Sequence, residues 1–250
     1  NILALGNAAC NIVDSLEKYK SYKLYKIQNE GEKTNNKYII PELATAEEYE
    51  NLKVISKVPF LKKIKDAVTF FVCGASRSSA LSLKVLEFLH KKGVKIKVVY
   101  IQTDTELLAR EQVLQERVIR NVLQQYARSG LFVDITLVSS KKLENFVDSI
   151  NVFEYHNQVN GIFCDSYHML QVFKNTKPIM STFSKIPESC RIKTIGISSL
   201  SCEDKVFFPF NREVEVVYYL GINEERLRSE GNFFRELTAN IRSRMTDETK

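Results

Sequence analysis

The segment that most constrains this chain runs from Ala67 to Gly93. Seven apolar-rich residues, AVTFFVC, end at Gly74-Ala75-Ser76-Arg77-Ser78-Ser79. An amphipathic stretch from Ala80 to Lys92 follows, with Leu81, Val85, Phe88 and Leu89 on one side, and Gly93 closes it. Val94 to Ile101 then alternates before turning apolar. An unbroken apolar strand is buried on both faces. A strand, a helix and a second strand in so short a span form a βαβ unit, whose crossover is right-handed and whose strands are parallel.

The rest of the chain extends that unit. Ile2 to Leu5 is a short strand, Gly6-Asn7-Ala8-Ala9-Cys10-Asn11 a tight turn, and Ile12, Leu16 and Tyr19 follow at helical spacing. Tyr22 to Ile27 reads as a second strand and residues 28–37 as a polar, mobile loop. Residues 44–65 are helical in pattern but broken by Pro59. A long helix is expected over Thr105 to Arg128, buried through Leu107, Leu108, Leu114, Val118, Val122 and Tyr126. Phe132 to Val138 is a strand, and Asn151 to Phe173 is a helix apolar enough through its centre to lie inside the molecule. After an irregular region between Pro178 and Pro187, strands are expected at 192–197 and 214–220 and a charged helix at 224–244. Alternating strands and helices specify a mostly parallel, Rossmann-like α/β sheet covered on both faces. Ligands of such sheets sit beyond the carboxyl ends of the strands.

Composition excludes several classes. No apolar run approaches the length of a membrane span, and the N-terminus, with no basic region and no small-residue cleavage site, is not expected to be a signal peptide. The first residue is not Met, so a preceding stretch is expected to be cut away or unseen. Five cysteines, none in C-x-x-C spacing, read as reduced thiols of a cytoplasmic protein. A net charge of +6 without aromatic and basic residues interleaved argues for solvated lysines rather than nucleic-acid binding.

Two turns on the expected rim suit an anion. Gly6, Asn7, Ala8 and Asn11 let backbone N–H groups approach a phosphate at a helix start. Gly74, Ser76, Ser78 and Ser79 offer hydroxyls and N–H groups, with Arg77 to neutralise the charge. Glu106 and Arg110 are four apart on the long helix, either a surface ion pair or a pair facing a ribose and a phosphate. Phe153 and Asn157, also four apart, can stack on a base and read its edge, or pack and cap. Cys164 and His168 share a helix face, but no further cluster completes a metal site.

In this order the segments resemble the FtsZ/tubulin superfamily. Ile2–Leu16 is similar to its first phosphate-side loop, FFVCGASRSSALSLKVLEFLHKKG (70–93) to its signature loop and helix, and VVYIQTDTELLAR (98–110) to its strand with Glu-x-x-x-Arg. VDITLVSS (133–140) resembles the next strand, FEYHNQV (153–159) the start of the core helix, and residues 214–244 the strand–loop–helix of the second domain. The resemblance implies a nucleotide-binding domain over 1–150, a core helix over 151–177 and a reduced second α+β domain over 178–250, with its closing strands missing or unseen. It implies GTP or GDP with Mg2+, phosphates at the two turns, Glu106 and Arg110 on the ribose side, Ser139 and Ser140 near the sugar or base, Phe153 against guanine and Asn157 on its edge. It also implies head-to-tail self-assembly into cytoplasmic filaments, with an adaptor protein as a further partner.

Two departures bear on activity. The signature loop keeps one glycine, Gly74, which restricts its backbone. Residues 175–182, where the family carries acids that act on the next subunit's GTP, hold no Asp or Glu, so hydrolysis is expected to be weak or absent. The alternatives are a relative that keeps the fold as a non-catalytic, partner-binding protein, and a dinucleotide-dependent oxidoreductase suggested by Gly-Ala-Ser-Arg, which here lies in mid-chain.

Overall fold

The computed structural model describes residues 1–147, 153–181, 190–199 and 202–244. Asn151, Pro187 and Thr182, each part of an expectation above, lie outside the described residues. At the centre is an all-parallel sheet of β1 (Ile2–Leu5), β2 (Leu24–Gln28), β3 (Lys37–Ile39), β4 (Ala67–Cys73), β5 (Lys95–Gln102), β6 (Asp134–Ser139) and β7 (Ile192–Lys193). The strands lie in the order β3-β2-β1-β4-β5-β6-β7. This is the expected Rossmann-like α/β architecture.

Alternation within the strands feeds two cores. Leu3, Leu5, Phe70, Val72, Val98 and Tyr100 face one side, where α2 (Ala46–Asn51), α3 (Ser82–Lys91) and α4 (Arg110–Arg128) pack. Ile2, Ala4, Phe71, Cys73, Val99 and Ile101 face the other, covered by α1 (Asn7–Asp14), α5 (Ser140–Glu144) and α6 (Tyr155–Asn175). α2 is short and polar, and a capping box holds its start: the Thr45 hydroxyl accepts from Glu48 N at 3.2 Å, and the Glu48 carboxylate accepts from Thr45 N at 3.3 Å. Thr45→Ala is expected to cost about 1 kcal/mol in denaturant unfolding, and an unchanged midpoint would show that the cap carries no stability.

Several expectations need correction. The long helix starts at Arg110, not Thr105; Thr105–Leu107 is a 3-10 turn. Its buried face is Glu116, Ile119, Leu123 and Ala127, while Leu107, Leu114 and Val118 are exposed. Both stripes obey helical spacing, so periodicity alone could not choose between them. α6 lies on the sheet rather than inside the molecule: Val159, Phe163, Cys164 and Tyr167 are buried, while Met169 and Val172 are exposed. Residues 214–220 form no strand; a β-favouring sequence becomes one only beside a strand that pairs with it. The second, two-stranded sheet is instead the antiparallel pair β8 (Gly196–Ser199) and β9 (Cys202–Val206). The last helix divides into α7 (Glu224–Ser229) and α8 (Phe233–Ser243), parted at 230–232, which includes Gly231.

The four cysteines whose side chains are described are free thiols. Burial pushes the Cys10, Cys73 and Cys164 thiols each up to about 12. No helix among the described residues is long and apolar enough to cross a membrane.

Candidate functional site

From β1 the chain connects to β2 on one side, while β4 lies on the other. That reversal opens a crevice at the carboxyl ends of β1 and β4, the place where open α/β sheets bind ligands. Gly6 and the loop 74–79 meet there.

Gly6 has φ 87 and ψ 154, a conformation closed to side chains, and caps α1 without any side-chain bond to its first turn. A Cβ at Gly6 would stand 2.7 Å from Ser78 Oγ and 3.3 Å from Ser76 Oγ, so the two loops touch. Asn7, Ala8 and Asn11 belong to α1 itself, and the turn is Gly6 alone. Ala8 and Asn11 are exposed. Asn7 is engaged on both sides: its Nδ2 donates to Glu30 Oε1 at 2.8 Å, and its Oδ1 accepts from Asn29 N at 2.9 Å. What the crevice receives from this element is chiefly the first-turn N–H groups and the positive end of α1.

The loop 74–79 is folded on itself. Ser76 Oγ and Ser78 Oγ are 2.7 Å apart, and Ser79 Oγ donates to Gly74 O at 2.9 Å. Ser78 and Ser79 are buried, so their hydroxyls hold the loop together rather than facing outward. Arg77 is exposed and begins a 3-10 turn, Arg77–Leu81; α3 starts only at Ser82, which is itself buried. Beneath the loop, a Cβ on Gly74 would lie 1.7 Å from Tyr100 Oη. That phenol donates toward the Glu116 carbonyl at 3.0 Å and Glu116 Oε1 at 3.1 Å. Burial and the adjacent Glu116 push the Tyr100 hydroxyl far up from its ordinary pKa. Glu116 is fully buried and pairs with Arg120 Nε at 3.1 Å. This strut was not anticipated, although an acid on the 116/119/123 stripe was a visible signal.

The next loops along the rim are held by Lys141, whose ammonium lies 2.7 Å from Glu106 and 3.8 Å from Asp104. The hydrogen bond to Glu106 raises the Lys141 pKa. Asp104 N donates to Ser140 Oγ at 3.1 Å, and Ser139 is buried at the end of β6. Glu106 and Arg110 do not share a helix face, because extended backbone at Leu108 and Ala109 separates the 3-10 turn from α4. Arg110 is exposed at the first position of α4. Phe153 is 95% exposed in the turn before α6, and Asn157 is exposed in its first turn, so neither is packed into the core. Cys164 and His168 are occupied elsewhere: the thiol donates to Ile12 O at 3.2 Å, and the imidazole stacks on Tyr19 at 3.6 Å with Nδ1 2.9 Å from Tyr22 Oη.

A parallel sheet with a helix N-terminus and a hydroxyl-rich loop at its switch point defines an open α/β protein with a crevice at the carboxyl ends of β1 and β4. More particularly, its fold is similar to those of FtsZ and CetZ2. It is similar to the empty FtsZ dimer of M. jannaschii, with a TM-score of 0.57 and 12% identity over 72% of this chain and 57% of that one. It is also similar to CetZ2 from Haloferax volcanii in a GTPγS-bound protofilament, with a TM-score of 0.55 and 10% identity over 72% of this chain and 60% of that one. The chain thus spans less than two thirds of either structure. No protein-family model and no curated protein matches it.

Proposed function

We propose that this chain binds a guanine nucleotide at the β1/β4 crevice and assembles head to tail in the cytoplasm. The observation that carries the reading is the meeting of Gly6, the α1 N-terminus and the loop 74–79 at the switch point. The likeness of the fold to FtsZ and CetZ2 supports it. In this reading residues up to 147 form the nucleotide domain, α6 is the core helix, and the segments from 190 onward form a reduced second domain. Phosphates lie against the α1 N–H groups with Arg77 beside them. Glu106 and Arg110 take the ribose side, and Phe153 and Asn157, both exposed, take the base. A magnesium ion would enter on the phosphates, since no group of three or more His, Cys, Asp or Glu among the described residues could hold one by itself. The reading is binding rather than hydrolysis, because residues 175–181 carry no acid.

Titration of the purified chain with GTP, GDP and ATP in magnesium tests this. GTP is expected to bind in preference to ATP. Arg77→Ala should weaken GTP by about tenfold or more while leaving guanosine unchanged, as for a lost charge-assisted bond. Asn157→Ala should reduce the preference for guanine. Equal losses for GTP and guanosine in the Arg77 variant would assign that side chain to folding.

A second reading is favoured by the self-satisfied loop. With Ser78 and Ser79 buried and Asn7 held by Glu30 and Asn29, the fold can serve as a scaffold that binds a partner and no nucleotide. Absence of binding by all three nucleotides selects it.

A further inference from the structure

The face of the large sheet that lies under α6 changes from apolar to charged toward the strand starts. Phe71, Val99 and Val138 fill it toward the carboxyl ends. Side chains alternate along a strand, so Thr69, Lys97 and Asp134 stand on the same face nearer the starts. The register sets these three side by side: Thr69 pairs with Lys97, and Lys97 with Asp134. On β7, Lys193 pairs with Thr136, and its ammonium lies 2.5 Å from Asp134 Oδ2. From above, Tyr167 of α6 is buried and donates to Thr69 Oγ1 at 3.3 Å. Lys174 follows about two turns later on the same stripe of the helix. Lys193, Asp134 and Lys97 are the charged groups that act on it.

Three ammonium groups, from α6, β5 and β7, thus converge on one carboxylate, and Lys193 already holds it. Lys97 and Lys174 make no salt bridge among the described residues, and both keep exposed surface that a small solute can reach. Lysines of a merely solvated face spread into water; these are directed to one point by strand register and by the helix stripe. Burial first, and then Lys193, lower Lys174 to about 8 in spite of Asp134. Such crowding costs free energy in the empty chain, and an anion seated among the ammonium groups removes that cost. Thr69 uses its oxygen to accept from Tyr167, which leaves its own hydroxyl hydrogen to donate.

We propose that Lys97, Lys174 and Lys193, with Thr69 beside them, form a binding site for a phosphate group under the end of α6. The charge selects the ligand. Three ammonium groups against one carboxylate leave an excess that a dianion cancels and a monocarboxylate does not, and a phosphate carries about −1.5 to −2 near pH 7. This site is apart from the crevice at the carboxyl ends of β1 and β4. Strand β5, of 8 residues, puts about 26 Å between the two ends of the sheet. It does not depend on the nucleotide reading above.

The test is calorimetric titration of the purified chain with inorganic phosphate, without nucleotide and at constant ionic strength held by chloride. Wild type is expected to bind. Lys97→Gln and Lys174→Gln should each weaken phosphate by about tenfold or more, as for a lost charge-assisted bond. Lys174→Arg, which keeps the charge, should retain binding. Asp134→Asn should tighten it by about fivefold, the factor for removing one unit charge about 4 Å away in water. A gain in affinity is a result that misfolding cannot give, and Lys97→Gln, on a different element, stands in if Lys174→Gln does not fold. Competition by glycerol phosphate extends the ligand to phosphate monoesters; failure to compete confines it to the free ion. No phosphate binding by wild type, or one affinity shared by wild type and all the lysine variants, overturns the proposal. So does loss of phosphate in Arg77→Ala with none in Lys174→Gln, which would put the anion in the crevice. A chain that binds no GTP and still loses phosphate in Lys174→Gln keeps this site and drops only the nucleotide reading.

Discussion

Gly74→Ala is expected to destabilise the chain by about 3 kcal/mol, the upper range for forcing atoms into a filled interior. The added methyl would lie 1.7 Å from Tyr100 Oη and 2.5 Å from its Cζ. Neither side can retreat cheaply. Gly74 N is tied to Ile101 O at 3.4 Å, and Tyr100 is fully buried with its hydroxyl held by Glu116. Denaturant unfolding of Gly74→Ala alone and combined with Tyr100→Phe checks the mechanism. The double variant should recover part of the loss, because it removes the oxygen and leaves the ring. Wild-type stability in the single variant would mean that the strut does not set the position of the loop.

Phe163→Ala should cost about 3–5 kcal/mol, as for other large aromatic deletions from packed interiors. Phe163 is 1% exposed and meets Phe71, Tyr167 and Phe207 at ring-centroid distances of 6.2, 6.1 and 6.3 Å. It is therefore where α6, β4 and the segment after β9 converge, and its removal loosens all three together. A loss below about 1 kcal/mol would show that the neighbouring rings close over the gap.

The fold was legible where burial leaves a strong mark. β1, β4, β5 and β6 are sheltered on both faces, so they read as apolar runs, and Gly93 and Pro59 punctuate as expected. β3 and β7 have 3 and 2 residues and no apolar run, and only their neighbours make them strands. The orientation of α4 was not legible, because Leu114, Val118, Val122 and Tyr126 make the more apolar stripe, whereas the buried one carries Glu116, which is bonded to Tyr100 on a different element. The site was legible as a place, since strand order puts Gly6 beside the loop after Cys73. Its inner chemistry was not. That Ser79 would donate to Gly74 O, that Glu30 would occupy Asn7 and that Lys141 would take Glu106 are consequences of loop geometry, which no spacing along the chain encodes.

The short strands at the two margins of the large sheet have a bearing on how such a molecule meets its own copies. With only 3 and 2 residues at the margins, β3 and β7 offer almost no backbone ladder onto which another chain could be hydrogen-bonded. Sideways growth into a continuous ribbon is thereby discouraged, and crowding at high concentration meets blunt flanks rather than open templates.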